Sequence, residues 1–291
     1  MVYHIPALLE ESIDGLNIQP DGIYVDVTFG GGGHSKEILN RLKTGKLIAF
    51  DQDEDAGLNI PSDEKLLFLN QNFRFLMNNL RFNNINCIDG LIADLGVSFH
   101  QFDVPERGFT FRQNAPLDMR MNQTGNVTAA FLLETMDEPD LAEIFYRYGE
   151  LSDSRRIARE IVAKRTSAPL KTVNDLISTI GKLAPFRQEH KFYAKLFQSL
   201  RIAVNHEIDY LKEMLEQSLS VLKKGGRLVI ISYHSLEDRL VKNFMKTGNF
   251  KGEEIKDFYG NVITPFRIIN RKGTTPGDEE IAIITGQEVR D

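Results

Sequence analysis

Residues 23–34, Ile23-Tyr-Val-Asp-Val-Thr-Phe-Gly-Gly-Gly-Gly-His34, decide the fold. A run of strand-forming residues ends in four glycines, Gly30 to Gly33, and a helix-like segment follows from His34. Glycine has no Cβ, so such a run turns tightly and lets a ligand approach the main chain. A strand that feeds a glycine loop and then a helix N-terminus is the nucleotide-handling corner of an open α/β sheet.

Working outward, Ile23–Val27, Leu47–Phe50, Leu66–Leu69 and Leu91–Ala93 read as strands, with helices over Ser35–Leu42 and Phe73–Asn79 between them. That alternation predicts βαβ units and a parallel sheet. The strands end in Asp26-Val27-Thr28, Asp51, Asn70 and Asp94, which gathers polar groups at the carboxyl ends, where open α/β sheets bind ligands. After Ser98 the alternation stops. Residues 105–135 read as loop, and a helical region runs to about residue 205, broken at Gly149, Ala168-Pro169 and Gly181 to Pro185. Leu200, Val204, Ile208, Leu211, Leu215 and Leu219 recur at spacings of three and four, which predicts one long amphipathic helix ended by Gly225-Gly226. Arg227–Ser232 reads as a fifth strand, and Val262–Ile269 and Glu280–Thr285 as two further β runs around the turn-rich 272–277. The expected architecture is α/β: a Rossmann-like domain over 1–104 and 207–291, interrupted by an all-helical insert over 105–206.

The single cysteine, Cys87, excludes an internal disulfide and a multi-cysteine zinc site. With no secretory leader at Met1 and no membrane-span-like stretch, the chain reads as cytoplasmic. The six histidines are scattered without the paired spacing of a zinc helix, so no metal is expected. The net charge is −6, yet Leu141–Arg201 carries twelve Lys and Arg against six Asp and Glu. A basic module on an acidic body suits a protein that engages a polyanion through one face.

At the glycine corner, a dinucleotide fingerprint needs glycine where this chain has Ser35 or Lys36, and a P-loop needs a lysine that Gly33-His34-Ser35 lacks. S-adenosylmethionine has no phosphate to cradle; it needs backbone contacts and acceptors for its ribose hydroxyls and ammonium group. Asp51, about 20 residues past the glycines, stands where an acidic residue takes ribose hydroxyls. Asp26 suits either orienting the loop or accepting from the ammonium through water.

Five motifs then occur in order: Val25–Gly30 with Gly32-Gly33-His34, Asp94-Leu-Gly-Val-Ser98, Arg107-Gly-Phe109, Pro116-Leu-Asp-Met-Arg-Met121, and Ile231-Ser-Tyr-His-Ser-Leu-Glu-Asp-Arg239. Together they resemble the bacterial RsmH/MraW methyltransferase family, over nearly the whole chain. The resemblance implies a Rossmann-like S-adenosylmethionine-dependent enzyme that methylates the exocyclic N4 of a cytidine in small-subunit (16S) ribosomal RNA. It implies cofactor contacts at Gly32, Gly33, His34, Asp51, Phe73, Asp94 and Gln101, with Gly30 and Gly31 shaping the turn. The family's usual Ser-Pro before the glutamine is Phe99-His100 here, which puts the Gln101 contact in question.

For transfer to an amino group, Asp94 is the expected hydrogen-bond acceptor, with the Leu95 and Gly96 carbonyls as partners. Ser232, His234 and Ser235 end the fifth strand on the same rim, His234 being the best proton handler by its ordinary pKa. Asp118 is a second candidate, weighed against turn capping. In the insert, Arg155, Arg156, Arg159, Lys164 and Arg165 share a stretch with apolar Ile157, Ala158, Ile161 and Val162, so a cationic face is expected outward. Phe186-Arg187 and Lys191-Phe192-Tyr193 mix rings with cations, a texture suited to unpaired bases and phosphates; Phe192 and Phe197 read first as core. These residues form the expected grip on small-subunit RNA. The rivals are an NAD-dependent oxidoreductase and a non-enzymatic RNA-binding ribosome assembly factor. A DNA amino-methyltransferase is disfavoured because Asp94-Leu-Gly-Val97 replaces an Asp-Pro-Pro-Tyr-type motif. Homodimerisation stays open.

Overall fold

A computed structural model describes residues 6–270, 273–277 and 280. In chain order come α1 (Leu9–Leu16), β1 (Ile23–Asp26), α2 (Gly33–Arg41), β2 (Lys46–Phe50), β3 (Leu66–Leu69), α3 (Leu76–Phe82) and β4 (Ile88–Asp94). There follow α4 (Phe99–Asp103), α5 (Ala129–Thr135), α6 (Glu138–Arg147), α7 (Ser154–Arg165), α8 (Val173–Ile180) and α9 (Glu189–Asn205). The chain closes through α10 (Glu207–Val221), β5 (Leu222–Ile231) and α11 (Ser235–Thr247). It divides into two compact units, Met1–Gly96 with Asp209–Asp291, and Val97–Ile208. The sequence placed the edges of the insert at 105 and 206 instead.

In the first unit the strands pair in parallel in the order β3-β2-β1-β4-β5. Strand order reverses between β1 and β4, which makes that gap the topological switch point of a doubly wound sheet. Successive side chains leave a strand on opposite faces, and both faces here are covered. Tyr24, Leu47 and Ile92 pack with Ile13 and Leu16 of α1 and Ile38 and Leu39 of α2. Their neighbours Val25, Ile48, Leu91 and Ala93 pack with Leu76 and Leu80 of α3, Leu211, Met214 and Leu215 of α10, and Val241 and Phe244 of α11. This two-sided burial is why the strands read as near-continuous apolar runs.

The second unit is all α-helix and loop, and its core draws on Leu133, Leu141, Phe145, Ile157, Ile161, Leu176, Leu196 and Leu200. Phe192 and Phe197 belong to that core. The family-like segments at 107–121 form one knot here. Arg107 is buried and its guanidinium donates to the carbonyls of Arg120 and Met121 at 2.9 and 3.1 Å. The Asn205 amide donates to the Met119 carbonyl and its oxygen accepts from the Met121 N–H, both at 2.7 Å. A Cβ on Gly108, at φ +72°, would sit 2.3 Å from the Pro116 carbonyl oxygen, so only glycine lets the two segments meet.

Several expectations change. The predicted long helix over 200–219 is two helices, α9 and α10, parted at His206, whose φ is +52°. Arg201 and Glu207 staple the break with Nε–Oε1 at 2.9 Å and Nη2–Oε2 at 3.1 Å. Apolar periodicity runs unbroken through a single left-handed residue, so the pattern could not show it. Leu219 is 42% exposed and lies off the buried stripe. α10 ends at Val221, four residues before Gly225, because the β5 pairing with Ile88 already begins at Leu222. The expected loop over 105–135 contains α5, capped by the Thr128 side chain accepting from the Phe131 N–H. Val262–Ile269 is not a strand: Val262 makes one isolated bridge to Lys256 and the rest is irregular. Beyond Glu280, the expected run to Thr285 lies outside the described residues. Among the described residues no helix is long and apolar enough to cross a membrane.

Gly90 in β4 marks a close approach. A Cβ there would lie 2.9 Å from the ring of Tyr24 and 3.0 Å from Leu16 Cδ2. Tyr24 is fully buried and its hydroxyl accepts from the Gln19 N–H at 2.7 Å, so the ring cannot swing aside. Gly90→Ala is therefore expected to destabilise the protein by about 1–3 kcal/mol through overpacking, measured by urea unfolding; an unchanged midpoint would contradict the packing described.

Candidate active site

Each acidic strand end of the first unit is held by specific bonds. Asp26 closes β1 and is buried; its Oδ1 accepts from the Thr28 N–H at 3.0 Å and its Oδ2 from the Ser35 hydroxyl at 2.7 Å. These two bonds span the glycine loop and pin its two ends. Within the loop, Gly30 and Gly32 have φ of +52° and +77°, a region side-chain-bearing residues avoid. Asp51, after β2, braces the loop from the other side: its Oδ2 accepts from the Gly30 N–H at 2.7 Å and its Oδ1 from the Asp53 N–H at 2.8 Å. These bonds give Asp26 the first of its two expected roles, orienting the loop.

Asp94 ends β4 across the switch point, and its N–H donates to the Thr28 hydroxyl at 2.6 Å, which ties β4 to the exit of β1. Its carboxylate meets two side chains. The Tyr233 hydroxyl donates to Oδ1 at 2.9 Å, and His34 Nδ1 lies 3.8 Å from Oδ2. His34 is buried on α2 with Nε2 at 3.2 Å from the Ala7 carbonyl, a contact that requires the proton on Nε2. Burial pushes the His34 pKa down and the Asp94 charge opposes that shift, so a neutral ring is favoured at neutral pH and the 3.8 Å contact becomes an ion pair only when the ring is protonated.

Burial also acts on the acids. Desolvation pushes Asp26, Asp51 and Asp94 each up to about 6, against the bonds that favour their charged forms. An edge with three desolvated carboxylates repels a pyrophosphate and favours a ligand that brings positive charge and hydroxyl donors. S-adenosylmethionine brings both without a phosphate, whereas NAD brings the pyrophosphate as well. The residues present therefore match the group that the glycine loop suggested.

The remaining predicted residues divide by location. Phe73 opens a single 3-10 turn after β3, half-buried at the rim of the sheet core. Ser232 is half-buried directly after β5. His234 caps α11: its Nδ1 accepts from the Glu237 N–H at 3.4 Å, and Nε2 lies 3.1 Å from Glu237 Oε1 at an angle too poor for a hydrogen bond. Both ring nitrogens thus face the first turn of the helix. Gln101 and Asp118 belong to the second unit. Gln101 is buried and closes a capping box on α4, its side-chain oxygen accepting from the Ser98 N–H at 3.1 Å. Asp118 grips Arg120, accepting from Nη2 at 2.6 Å and Nε at 2.7 Å and from the backbone N–H at 3.0 Å, which is the turn-capping role. Sequence reasoning missed Tyr233 and Thr28 as partners of Asp94. An aromatic with a hydroxyl one residue past a strand end was the available signal. Among the described residues no cluster of His, Cys, Asp and Glu could hold a metal ion.

In the second unit, Arg155, Arg156, Arg159 and Lys164 project from α7 into solvent, opposite buried Ile157, Ala158 and Ile161. Arg165 does not join that face: its guanidinium donates to the Leu133 and Met136 carbonyls at 2.8 and 2.7 Å. Lys191 is exposed on α9, and Phe186 is 81% exposed beneath the Arg187 guanidinium.

Asp26 gives a direct check on these electrostatics. Its pKa is higher folded than unfolded, so its charge costs stability as pH rises from about 4 through 6. Asp26→Asn removes that cost. The unfolding free energy of the variant relative to wild type is expected to rise by up to about 3 kcal/mol over that range and then level. Parallel stability curves in urea titrations at pH 4.5 and 7 would contradict it.

The profile of the MraW methylase family matches residues 1–284. The chain is 55% identical over 281 residues to ribosomal RNA small subunit methyltransferase H of Phocaeicola vulgatus, covering 96% of this chain and 92% of the relative. The protein of the same name from Flavobacterium johnsoniae is 55% identical over 284 residues, 97% of this chain and 94% of its own. That from Cytophaga hutchinsonii is 51% identical over 281 residues, with 96% and 94% covered. A solved rRNA methylase from Streptococcus thermophilus overlays 40% of this chain and 71% of its own at 20% identity and a TM-score of 0.27, too slight a likeness to carry an argument. On the profile match and these identities, the chain belongs to the MraW methylase family.

Proposed function

We propose that this protein transfers a methyl group from S-adenosylmethionine to the exocyclic N4 of a cytidine in small-subunit ribosomal RNA, in the cytoplasm where small subunits are built. The observation that carries the reading is Asp94: a desolvated carboxylate at the switch point, facing His34 and Tyr233 and, among the described residues, no lysine or arginine. The full-length match to relatives named for small-subunit ribosomal RNA supports the substrate. When bound, S-adenosylmethionine supplies an electrophilic methyl carbon on a sulfonium.

The chain's own residues bind, orient and move one proton. Gly32, Gly33 and His34 offer the turn and the start of α2, Asp51 takes hydroxyl groups with its remaining lone pairs, and Phe73 offers a ring face. Gln101 joins this set on the resemblance alone, since its described role is the α4 cap. Cytosine N4 is a weak nucleophile because its lone pair is delocalised into the ring. Asp94 and the carbonyls of Leu95 and Gly96 accept from the amino group and turn its lone pair toward the methyl. Orientation of this kind is worth roughly 7–11 kcal/mol, so no strong base is needed. Asp94 would take the N4 proton that methylation of the amino group releases, its pKa of about 6 making it basic enough to hold it and acidic enough to pass it to water. Ser232 remains in the set by position, while His234 holds the α11 cap and Asp118 holds Arg120.

Arg155, Arg156, Arg159, Lys164 and Lys191, with the exposed Phe186, form the RNA grip in this reading; Arg165 serves the fold of its unit. A homodimer is not part of it.

The test supplies labelled S-adenosylmethionine to small ribosomal subunits lacking the mark and identifies the modified nucleoside by mass. N4-methylcytidine is expected; its absence would overturn the assignment. In the same assay, reversal of Arg155, Arg156 and Arg159 to Glu is expected to lower methylation at least about tenfold while S-adenosylhomocysteine binds unchanged. Unchanged methylation would remove α7 from the RNA surface.

A further inference from the structure

Tyr233 has an unusual combination of properties. Its side chain is 59% exposed, yet it is fixed, because its hydroxyl donates to Asp94 Oδ1 at 2.9 Å. Beside the Cδ2 edge of the ring lies Gly96, whose φ of +102° excludes ordinary side chains and whose absent Cβ would stand 3.4 Å from Tyr233 Cδ2. No side chain at Gly96 thus crowds the ring, and the exposed remainder of the side chain stands beside the carboxylate assigned to the acceptor amino group. Desolvation of the phenol and the neighbouring Asp94 charge both raise its pKa, so the donor stays protonated throughout the working range.

We propose that Tyr233 is a substrate-positioning residue, the floor on which the acceptor base stacks, with its hydroxyl tie to Asp94 setting both the angle of the ring and the oxygen of Asp94 left open. The inference rests on the functional reading above and extends it to the pyrimidine ring. A base stacked on Tyr233 would hold its edge toward Asp94, and Oδ2, which receives no hydrogen bond from Tyr233, would be the oxygen that meets the amino group. Stacking on an aromatic is sequence-tolerant and contributes to every base alike, so Tyr233 holds the ring while Asp94 and the backbone carbonyls read its amino edge.

Two substitutions separate ring from hydroxyl. Tyr233→Ala removes the floor and is expected to raise KM for unmethylated small subunits roughly tenfold, with the S-adenosylhomocysteine Kd at pH 7.5 unchanged. Tyr233→Phe keeps the floor and removes the tie. KM should stay within about twofold, while the acidic limb of both kcat/KM and S-adenosylhomocysteine affinity moves to higher pH, because Asp94 loses a donor that stabilises its charge. The other groups that face Asp94 are His34 of α2, Asp26 of β1 and Glu237 of α11, and neither substitution alters them. An unmoved KM in Tyr233→Ala, or an unmoved acidic limb in Tyr233→Phe, would overturn the proposal. So would an equal loss of cofactor affinity in Tyr233→Ala, which would place the ring in the cofactor pocket. If wild type methylates no RNA, the functional reading fails, and the pH dependence of S-adenosylhomocysteine binding in Tyr233→Phe still decides the tie.

Discussion

Burying carboxylates at the carboxyl edge of a parallel sheet is costly, and that cost organises the first unit. Asp26 and Asp94 end β1 and β4 and Asp51 directly follows β2, each with its pKa pushed up to about 6 by desolvation. No Lys or Arg among the described residues pairs with them. Backbone N–H groups and hydroxyls hold them instead: Thr28 and Ser35 for Asp26, Gly30 and Asp53 for Asp51, Tyr233 for Asp94. A lysine or arginine in the same place would stabilise the free protein, but it would also neutralise the edge and remove its preference for a cationic ligand. The site thus keeps a standing electrostatic strain, which, on the function proposed above, a sulfonium and an ammonium group would relieve.

The glycines follow from that arrangement. The loop after β1 must bring Gly30 N–H to Asp51 and return to α2 within reach of Asp26, which leaves Gly30 and Gly32 in left-handed backbone. The chain then carries His34 into a buried position between the Ala7 carbonyl and Asp94, where it is neutral. The glycine loop and the Asp94 carboxylate are thereby one bonded network, running from Asp51 through the glycines, across Thr28 to Asp94 and on to Tyr233.

Much of this was legible in the residues. The strands of the sheet, the glycine corner and the acidic strand ends follow from local pattern, because a strand buried on both faces has few ways to be written. The amphipathic α7 was readable for the same reason, its Arg155, Arg156 and Arg159 standing opposite Ile157 and Ile161. What was not legible depended on single backbone angles or on pairings distant in sequence. His206 breaks a helix that its apolar spacing continues, and Val262–Ile269 has strand-like residues but finds no partner strand. Arg165 looked like part of the cationic face until its carbonyl partners in α5 and just beyond placed it in the fold. Asp118 and His234 within family-like motifs, and Gln101 just past one, are polar residues whose described bonds are local caps, a distinction that composition cannot make. Tyr233 lies 139 residues from Asp94, so their bond is a product of topology alone.

The central claim is that buried negative charge at this edge selects a cationic cofactor. Calorimetric affinities for S-adenosylmethionine and S-adenosylhomocysteine, compared from pH 5 to 7.5, test it directly, since the two ligands differ by one methyl group and the sulfonium charge. As the three carboxylates ionise through about pH 6, the affinity ratio should move several-fold toward S-adenosylmethionine. A ratio that stays constant across that range would contradict the account.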